Sequence, residues 1–484
     1  MSVSSALPEN SREALPGPGE RPAPPEPPAR LGGRSAAVLA VLCGAIFLEG
    51  IDVAMLNVAL PSIRADLGMS TGALSWVMSA YVLGYGGFML LGGRTADLLG
   101  RRRMFLGWLT VFVLFSGLGG LATEGWVLIL ARFVTGLSAA FMTPAGLSII
   151  TTAFPEGPRR NRALLVYAGT AAAGFSLGLV AGGLLTAVGW RWVFFAPVLL
   201  AGALLAAAVP LIPRDAAPQR AGGRFDLAGA AAATGAMLLL VFGVVRIGEP
   251  GARVGTTAAV LAGGLALLAV FTVVERRSPA PLVRLGVLRS GPLLRANLGA
   301  VLFAGSFFGF QFTATLYLQD LRGWSPLQTG LALLAIGVDS VLAPTLTPKL
   351  VERFGNARVI LGGFLLAALS YGLFLPVGVD WTYPMMFPTM LLTGLAFALA
   401  YGPLTIAATE GIAEEEQGLA GGLLNTSFQF GAALGLSVVT TVDLAALGSG
   451  ATALEGFRAA LVVPVVSAVL GAVVAATGAG RRRA

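Results

Sequence analysis

The chain has 484 residues, 56% hydrophobic and only 12% charged, with a formal net charge of +8 and no histidine. Soluble domains carry about 25% charged residues, so this composition excludes a soluble enzyme or a nucleic-acid module. The lack of histidine, the single cysteine (Cys43) and the absence of metal-ligand spacing exclude a zinc site, His-based catalysis and an internal disulfide.

Residues 1–34 carry Pro8, Pro16, Pro18, Pro22 and four further prolines among mixed charges. Such a segment cannot bury a core and is expected to be a disordered cytoplasmic tail. Apolar runs follow at 35–58, 72–93, 104–122, 126–148, 163–186 and 193–212. Two more fall at 226–245 and 255–274, and six at 296–318, 327–349, 357–377, 384–408, 418–440 and 457–478. At about 20 residues per crossing, these are fourteen candidate transmembrane helices, ending in a basic tail at 479–484. The expected fold class is an all-α polytopic membrane protein.

Orientation follows from the positive-inside rule. With the first tail in the cytoplasm, about 25 Lys and Arg fall inside and about 6 outside, with Arg132 inside a helix. Both termini are therefore expected to be cytoplasmic. Lys349, the only lysine, follows no glycine-rich loop, which excludes ATP-driven pumping by this chain alone.

Two short loops repeat. GRTADLLGRRR, from Gly93 to Arg103, and PKLVERFGNAR, from Pro348 to Arg358, align Asp97, Gly100 and Arg103 with Glu352, Gly355 and Arg358. An acid-x-x-Gly turn after a second helix thus recurs in blocks 35–213 and 295–478, separated by a segment 214–294 with two additional helices. Parallel halves of this kind are the layout of major facilitator transporters.

Several stretches resemble the fourteen-spanner drug:proton antiporters of that superfamily, the EmrB/QacA type. FLEGIDVAMLNVALPSI (Phe47 to Ile63) is similar to the first-helix signature, GGRTADLLGRRR to the second-to-third-loop motif, and WRWVFF, from Trp190, to the outer end of the fifth helix. Arg132 with Gly136 matches the buried-arginine motif, although Thr135 replaces the usual glutamine, and GLLNTSFQFGAALG (Gly422 to Gly435) resembles the thirteenth-helix signature. GFSLGLVAGG, with Gly174, Gly178, Gly182 and Gly183, is similar to the antiporter motif, but Leu179 stands where the family has proline. The resemblance implies a major facilitator fold of two six-helix bundles plus two linker helices. It also implies a gating latch built on Gly93, Asp97, Gly100, Arg101 and Arg103 and their repeat Glu352, Gly355 and Arg358, and it suggests actinomycete antibiotic-resistance exporters as similar proteins.

The residues themselves point to proton chemistry. A charge near mid-membrane costs about 2.5–3.5 kcal/mol on insertion scales and faces a cavity or a partner. Glu49 and Asp52 share one face of the first helix. Depth counting places Asp52 opposite Arg132 of the fourth. Asp52 is expected to carry a proton, Arg132 to be its switching partner, and Glu49, sharing that arginine, to be a second carrier or a recogniser of cationic substrate; a static structural pair is the competing reading. Asp339, mid-way along the tenth span, is a candidate second proton site or substrate contact.

Asp97 at a helix end can face a neighbouring helix N-terminus, while Arg101 to Arg103 bind the leaflet or that acid. Gly93 and Gly100 allow close backbone approach. Asn57, Gln311, Asn425 and Gln429 are candidate polar cavity residues; Tyr81, Phe141, Phe310, Tyr371 and Tyr401 are candidate aromatic ones.

The expectation is a proton-coupled efflux transporter for small amphipathic drugs or antibiotics, working by alternating access, with no catalytic residues, metal or cofactor beyond the proton gradient. Its partners would be the lipid bilayer, protons and a small amphipathic substrate, not nucleic acid, and it would be a monomer in the cytoplasmic (inner) membrane. The alternatives are an exporter dedicated to one self-made antibiotic, a proton-linked importer (encouraged by Leu179), and a membrane sensor or scaffold, which would have no use for four intramembrane charges.

Overall fold

A computed structural model describes residues 33–154, 158–214, 227–247, 252–278, 290–410, 412 and 414–479. The tails expected at 1–34 and 479–484 lie outside these residues except for 33, 34 and 479. All regular structure among the described residues is helical.

The first half comprises α1 (Gly33–Leu67), α2 (Thr71–Leu99), α3 (Arg101–Gly120), α4 (Gly125–Ala153), α5 (Pro158–Val188) and α6 (Trp192–Leu211). A hairpin of α7 (Leu227–Ile247) and α8 (Val254–Arg277) follows. The second half comprises α9 (Gly291–Leu316), α10 (Pro326–Leu333), α11 (Asp339–Thr345), α12 (Thr347–Phe354), α13 (Asn356–Phe374), α14 (Tyr383–Thr409), α15 (Glu414–Gly448) and α16 (Ala453–Ala479).

The halves repeat one packing scheme. α1 lies on α5 and α6, and α3 on α4 and α6; correspondingly α9 lies on α15 and α16, and α13 on α14 and α16. The α7–α8 hairpin sits outside both bundles, with α7 against α2 and α15, where the halves meet.

Eleven of the described helices are long and apolar enough to cross a bilayer. The second, seventh and tenth of the fourteen expected spans are not among them; the second and seventh include residues whose side chains lie outside the described residues, and the tenth is broken. Where one helix was expected at 327–349, α10 passes into a 3-10 turn, Leu334–Val338, and then into α11 and α12. Two prolines explain the far end of this break. Pro344 and Pro348 cannot donate to the carbonyls four residues back. Pro348 is instead used in the first turn of α12, where its missing N–H costs nothing.

Polar caps place other helix starts. Ser325 and Gln328 form a reciprocal capping box at α10, with bonds of 3.2 and 2.9 Å, and Ser70 caps α2 through Ala73 N–H at 3.1 Å. The repeated loop glycines do the same work in both halves. Gly100, at φ 98°, joins α2 to α3, and Gly355, at φ 83°, joins α12 to α13. A side chain at either corner would be strained.

Lipid exposure is also legible. α6 is apolar on every side, and its Trp192 and Leu199 are exposed (44% and 68%), as expected of a helix facing hydrocarbon. Because lipid gives no hydrophobic drive for helix association, close packing through small residues must hold the bundles. A Cβ on Gly136 would lie 2.0 Å from the Tyr81 carbonyl oxygen, and one on Gly435 would lie 2.2 Å from that of Gly305. These seat α4 on α2 and α15 on α9.

Candidate functional site

Three of the four intramembrane charges expected from the sequence, Glu49, Asp52 and Arg132, lie on α1 and α4. Arg132 and Thr143 are eleven residues apart on α4, about three turns at about 3.6 residues each, so both face α1. Arg132 Nη1 donates to Asp52 Oδ2 at 2.6 Å, with the two side chains only 1% and 2% exposed. The guanidinium carbon also lies 4.4 Å from the centre of the Tyr81 ring, in cation–π geometry. Nε and Nη2 of Arg132 have no hydrogen-bond acceptor among the described residues. The pair is therefore deeply buried and incompletely satisfied.

Glu49 does not share that arginine, which corrects the expectation of two acids on one cation. Its Oε2 accepts from Thr143 Oγ1 at 2.7 Å. The Tyr85 hydroxyl in turn donates to Thr143 Oγ1 at 3.4 Å. Glu49 is half-buried, unlike Asp52. Its carboxylate lies within electrostatic reach of Asp52, Tyr85, Tyr167 and, on the other half, Tyr401. Thr143, Tyr85 and Tyr167 were missed by sequence reasoning, because no spacing rule links a hydroxyl on α4 to an acid on α1.

Asp339 is buried, is not an unpartnered charge, and opens α11 just past the 3-10 turn. It belongs to the seam between halves. Gly337, two residues earlier, faces Ser176 of α5, whose Oγ would lie 2.8 Å from an added Cβ. On its other side the Ile336 carbonyl approaches Gly394 of α14.

The cavity residues divide. Tyr401, 39% exposed, and Asn425 line one cavity with Ala300, Thr405, Leu424 and Phe428. Gln429 instead packs across the seam, its Cβ 3.2 Å from where a Cβ on Gly86 would stand. Asn57 and Gln311 are buried, with amide atoms that have no partner among the described residues. Tyr81 is buried beneath Arg132. Phe141 stacks on Trp108 at 4.4 Å, and Phe310 on Tyr371 at 4.7 Å, inside their bundles. Of the five aromatics expected at a cavity, Tyr401 alone lines this one; the others have helix neighbours on the faces they present.

The loop motif is anchored more than latched in its arginines. Arg101 donates to the Ser148 carbonyl of α4 at 3.4 Å, and Arg102 to the Val209 carbonyl of α6 at 2.6 Å. Arg103, Glu352 and Arg358 are exposed. The Asp97 side chain lies outside the described residues. Gly93 makes only ordinary contact, 3.9 Å from Pro144; the tight approach belongs to Gly92, where a Cβ would meet the Ala140 carbonyl oxygen at 2.1 Å.

The motif glycines serve two surfaces. Gly174, Gly178 and Gly182 bed α5 on α1 at Phe47, Ile51 and Met55. Gly183 bears on Pro326 and Leu327 of α10, and Gly330 of α10 bears on the Leu179 carbonyl. Beside this seam Arg64 Nη2 pairs with Asp320 Oδ2 at 2.8 Å, and Gln319 Nε2 donates to the Val58 carbonyl at 2.8 Å. Asp320 and Gln319 lie in a π-helical turn, Tyr317–Leu321, that ends the ninth span. These contacts close the halves together at the face opposite the one where α1 begins and α16 ends.

The family model for the Major Facilitator Superfamily matches residues 42–436. The chain belongs to this superfamily. It is 37% identical over 419 residues to the cephamycin export protein CmcT of Amycolatopsis lactamdurans, covering 85% of each chain. It is 36% identical to the puromycin resistance protein pur8 of Streptomyces alboniger, covering 86% of this chain and 82% of that one. The tetracenomycin C resistance and export protein of Streptomyces glaucescens is 30% identical over 87% of this chain and 78% of its own length. Among solved structures, the POT family transporter PepTSo superposes with TM-score 0.67 at 16% identity, covering 93% of this chain and 99% of that one. A bacterial homologue of the human lysosomal transporter Spinster does so at 0.65 and 17%, with 93% and 98% covered. These last likenesses concern the fold. The chain is thus a multi-pass membrane protein of a transporter family, set in a lipid bilayer.

Proposed function

We propose that this protein exports small amphipathic drugs or antibiotics from the cytoplasm in exchange for protons, by alternating access. The observation that carries the reading is the buried Arg132–Asp52 pair. A buried ion pair offsets its desolvation only while both partners are charged. Protonation of Asp52 removes the attraction holding α1 to α4 and leaves a cation whose remaining contact is the Tyr81 ring. Loss of the proton restores the pair. That is a two-position switch at the centre of one half, and the Arg64–Asp320 seam is the element it biases.

An inward proton crossing about 150 mV of combined gradient releases about 3.5 kcal/mol, scaling from 2.3 kcal/mol per charge per 100 mV. At about 1.4 kcal/mol per decade, this sustains a few-hundred-fold gradient of neutral cargo. One carrier is sufficient, with Glu49 and Asp339 available to the cargo or to a second proton. In this reading the protein is a monomer in the inner membrane, with both termini cytoplasmic and no cofactor besides the gradient.

A second reading, an exporter dedicated to one antibiotic, is supported by relatives named for single compounds such as cephamycin and puromycin. Growth of an efflux-deficient host on a panel of toxic compounds separates the two: protection against many structures favours broad efflux, and protection against one favours a dedicated exporter. Inside-out vesicles test the coupling. Added substrate should release stored protons with the unaltered protein and not with Asp52→Asn; proton release that survives this substitution rejects Asp52 as the carrier.

A further inference from the structure

The corners that follow α1 and α9 are built alike. Gly68 follows α1 at φ 62° and Gly323 follows α9 at φ 65°. Two residues on, Ser70 caps α2 and Ser325 caps α10. The turns that enter these corners differ by one residue. Met69 N–H returns to the Arg64 carbonyl, five residues back, whereas its counterpart Trp324 N–H returns to the Leu318 carbonyl, six back. The extra residue is absorbed by the π-helical turn Tyr317–Leu321, closed by Arg322 N–H on the Tyr317 carbonyl at 3.0 Å.

Such turns are rare and are found mostly at functional sites, and α1 needs none, staying α-helical to Leu67. The turn at the end of α9 is held by the loop between α13 and α14. Tyr317 is fully buried, and its hydroxyl donates to the Gly378 carbonyl at 2.6 Å while accepting from Arg322 Nη1 at 3.1 Å. Arg322 Nη1 also donates to the Trp381 carbonyl of that loop. What the turn presents is aimed at the other half: Gln319 donates to the Val58 carbonyl and Asp320 pairs with Arg64. Packing inside the second half accounts for the Tyr317 ring, which meets Phe374 and Phe457 edge-on. It does not account for two consecutive residues that both reach α1.

We infer that Tyr317 and Arg322 are positioning residues of the gate on this face: they hold the π turn against the α13–α14 loop so that Gln319 and Asp320 close the second half onto α1. The hydrogen bonds of both side chains stay within the second half, so they act on the seam through the two residues between them. Without the clamp the turn is free to return to α-helical winding, which rotates Gln319 and Asp320 off their partners and weakens the closed form. The inference rests on the alternating-access reading for its purpose, but not for its geometry.

The test is the distance between nitroxide labels on Ala65→Cys and Ala453→Cys, in a Cys43→Ser background of the full chain in lipid nanodiscs, read by pulsed electron paramagnetic resonance. Both alanines are exposed; Ala65 adjoins Arg64, and Ala453 borders the cavity that Arg64 and Asp320 line. The readout is the ratio of long to short distances, open to closed, and it needs neither substrate nor gradient. Tyr317→Phe keeps the ring and should raise that ratio about threefold to tenfold, the size of one hydrogen bond with a weak ion pair. Arg322→Met, which removes the other bond of the same hydroxyl, should raise it likewise. In a background carrying Arg64→Ala and Gln319→Ala the turn has nothing to present, and Tyr317→Phe should then change the ratio by less than about twofold. An unchanged ratio in either single variant, or an equal rise in both backgrounds, overturns the inference, the second result making Tyr317 a packing residue only. If the ratios behave as expected but substrate releases no protons from vesicles, the exporter reading fails and the gate assignment stands.

Discussion

Arg132 meets Asp52 at 2.6 Å in the interior of the first half, and one face of its guanidinium is covered by the Tyr81 ring. Neither partner can be changed alone without leaving a buried charge uncompensated. Asp52→Asn should abolish proton-coupled efflux and lower stability by about 3–5 kcal/mol, the usual cost of orphaning a buried ion. The double substitution Asp52→Asn with Arg132→Met should recover stability but not efflux. Thermal unfolding in detergent reads the first effect and drug resistance the second. A double variant as unstable as the single one would show that the pair is not the stabilising unit.

Thr143 places a hydroxyl bond directly on the Glu49 carboxylate at 2.7 Å, and the Tyr85 hydroxyl stands beside it. Thr143→Ser keeps that donor and should leave efflux near normal. Thr143→Ala removes it, a loss of about 1.5–3 kcal/mol for a bond to a charged group, and should weaken binding of a cationic substrate several-fold. Comparing apparent affinity with maximal rate distinguishes a loss of positioning from a general defect.

The Arg64–Asp320 pair is about a quarter to a third exposed and joins the two halves at 2.8 Å. An ion pair of this kind contributes about 0–1 kcal/mol and weakens as salt rises. Arg64→Ala should therefore shift the population toward the state open on that face by a few-fold, and the exchange of Arg64→Asp with Asp320→Arg should restore it. Accessibility of a cysteine introduced beside the seam, in a Cys43→Ser background, reports the shift. Equal labelling in all three proteins would mean that the pair is ornamental to gating.

Glycine contacts give a graded stability series. Gly435→Ala places a Cβ 2.2 Å from a backbone oxygen, and Gly330→Ala places one 2.3 Å from the Leu179 oxygen. Both should cost about 1–3 kcal/mol from overpacking, read as lower melting temperatures, and Gly330→Ala should also alter the seam. Gly372→Ala meets nothing within 4 Å and should be neutral or stabilising by up to about 1 kcal/mol. Equal melting temperatures across the three would disprove the close-packing account.

Much of the fold was legible in the sequence, because a membrane span needs a long apolar run and few other structures can hide backbone polar groups in lipid. The repeated loop was readable as well, since Gly100 and Gly355 occupy a backbone region that disfavours other residues. Asp52 and Arg132 could be paired by depth alone, as both are buried charges in adjacent bundle positions. Depth did not separate Glu49 from that pair, because the longer side chain reaches a hydroxyl further along α4. Nor did composition reveal the near end of the break in the tenth span: apolar content stays high across Leu334–Val338, which packs against α5 and α14, whereas Pro344 and Pro348 mark its far end. Aromatic residues were the least legible. Phe310 and Phe428 are alike as letters, and only the rotation of each helix decides which ring is sealed inside a bundle and which lines a cavity.

The seam at α5 and α10 has a consequence for how this lineage diversifies. Its two surfaces meet through main-chain atoms at Gly183 and Gly330, so this contact is set by the backbone and not by the larger side chains elsewhere on α5 and α10. A chain that keeps this backbone contact shares over a third of its residues with relatives named for antibiotics as unlike as cephamycin and puromycin.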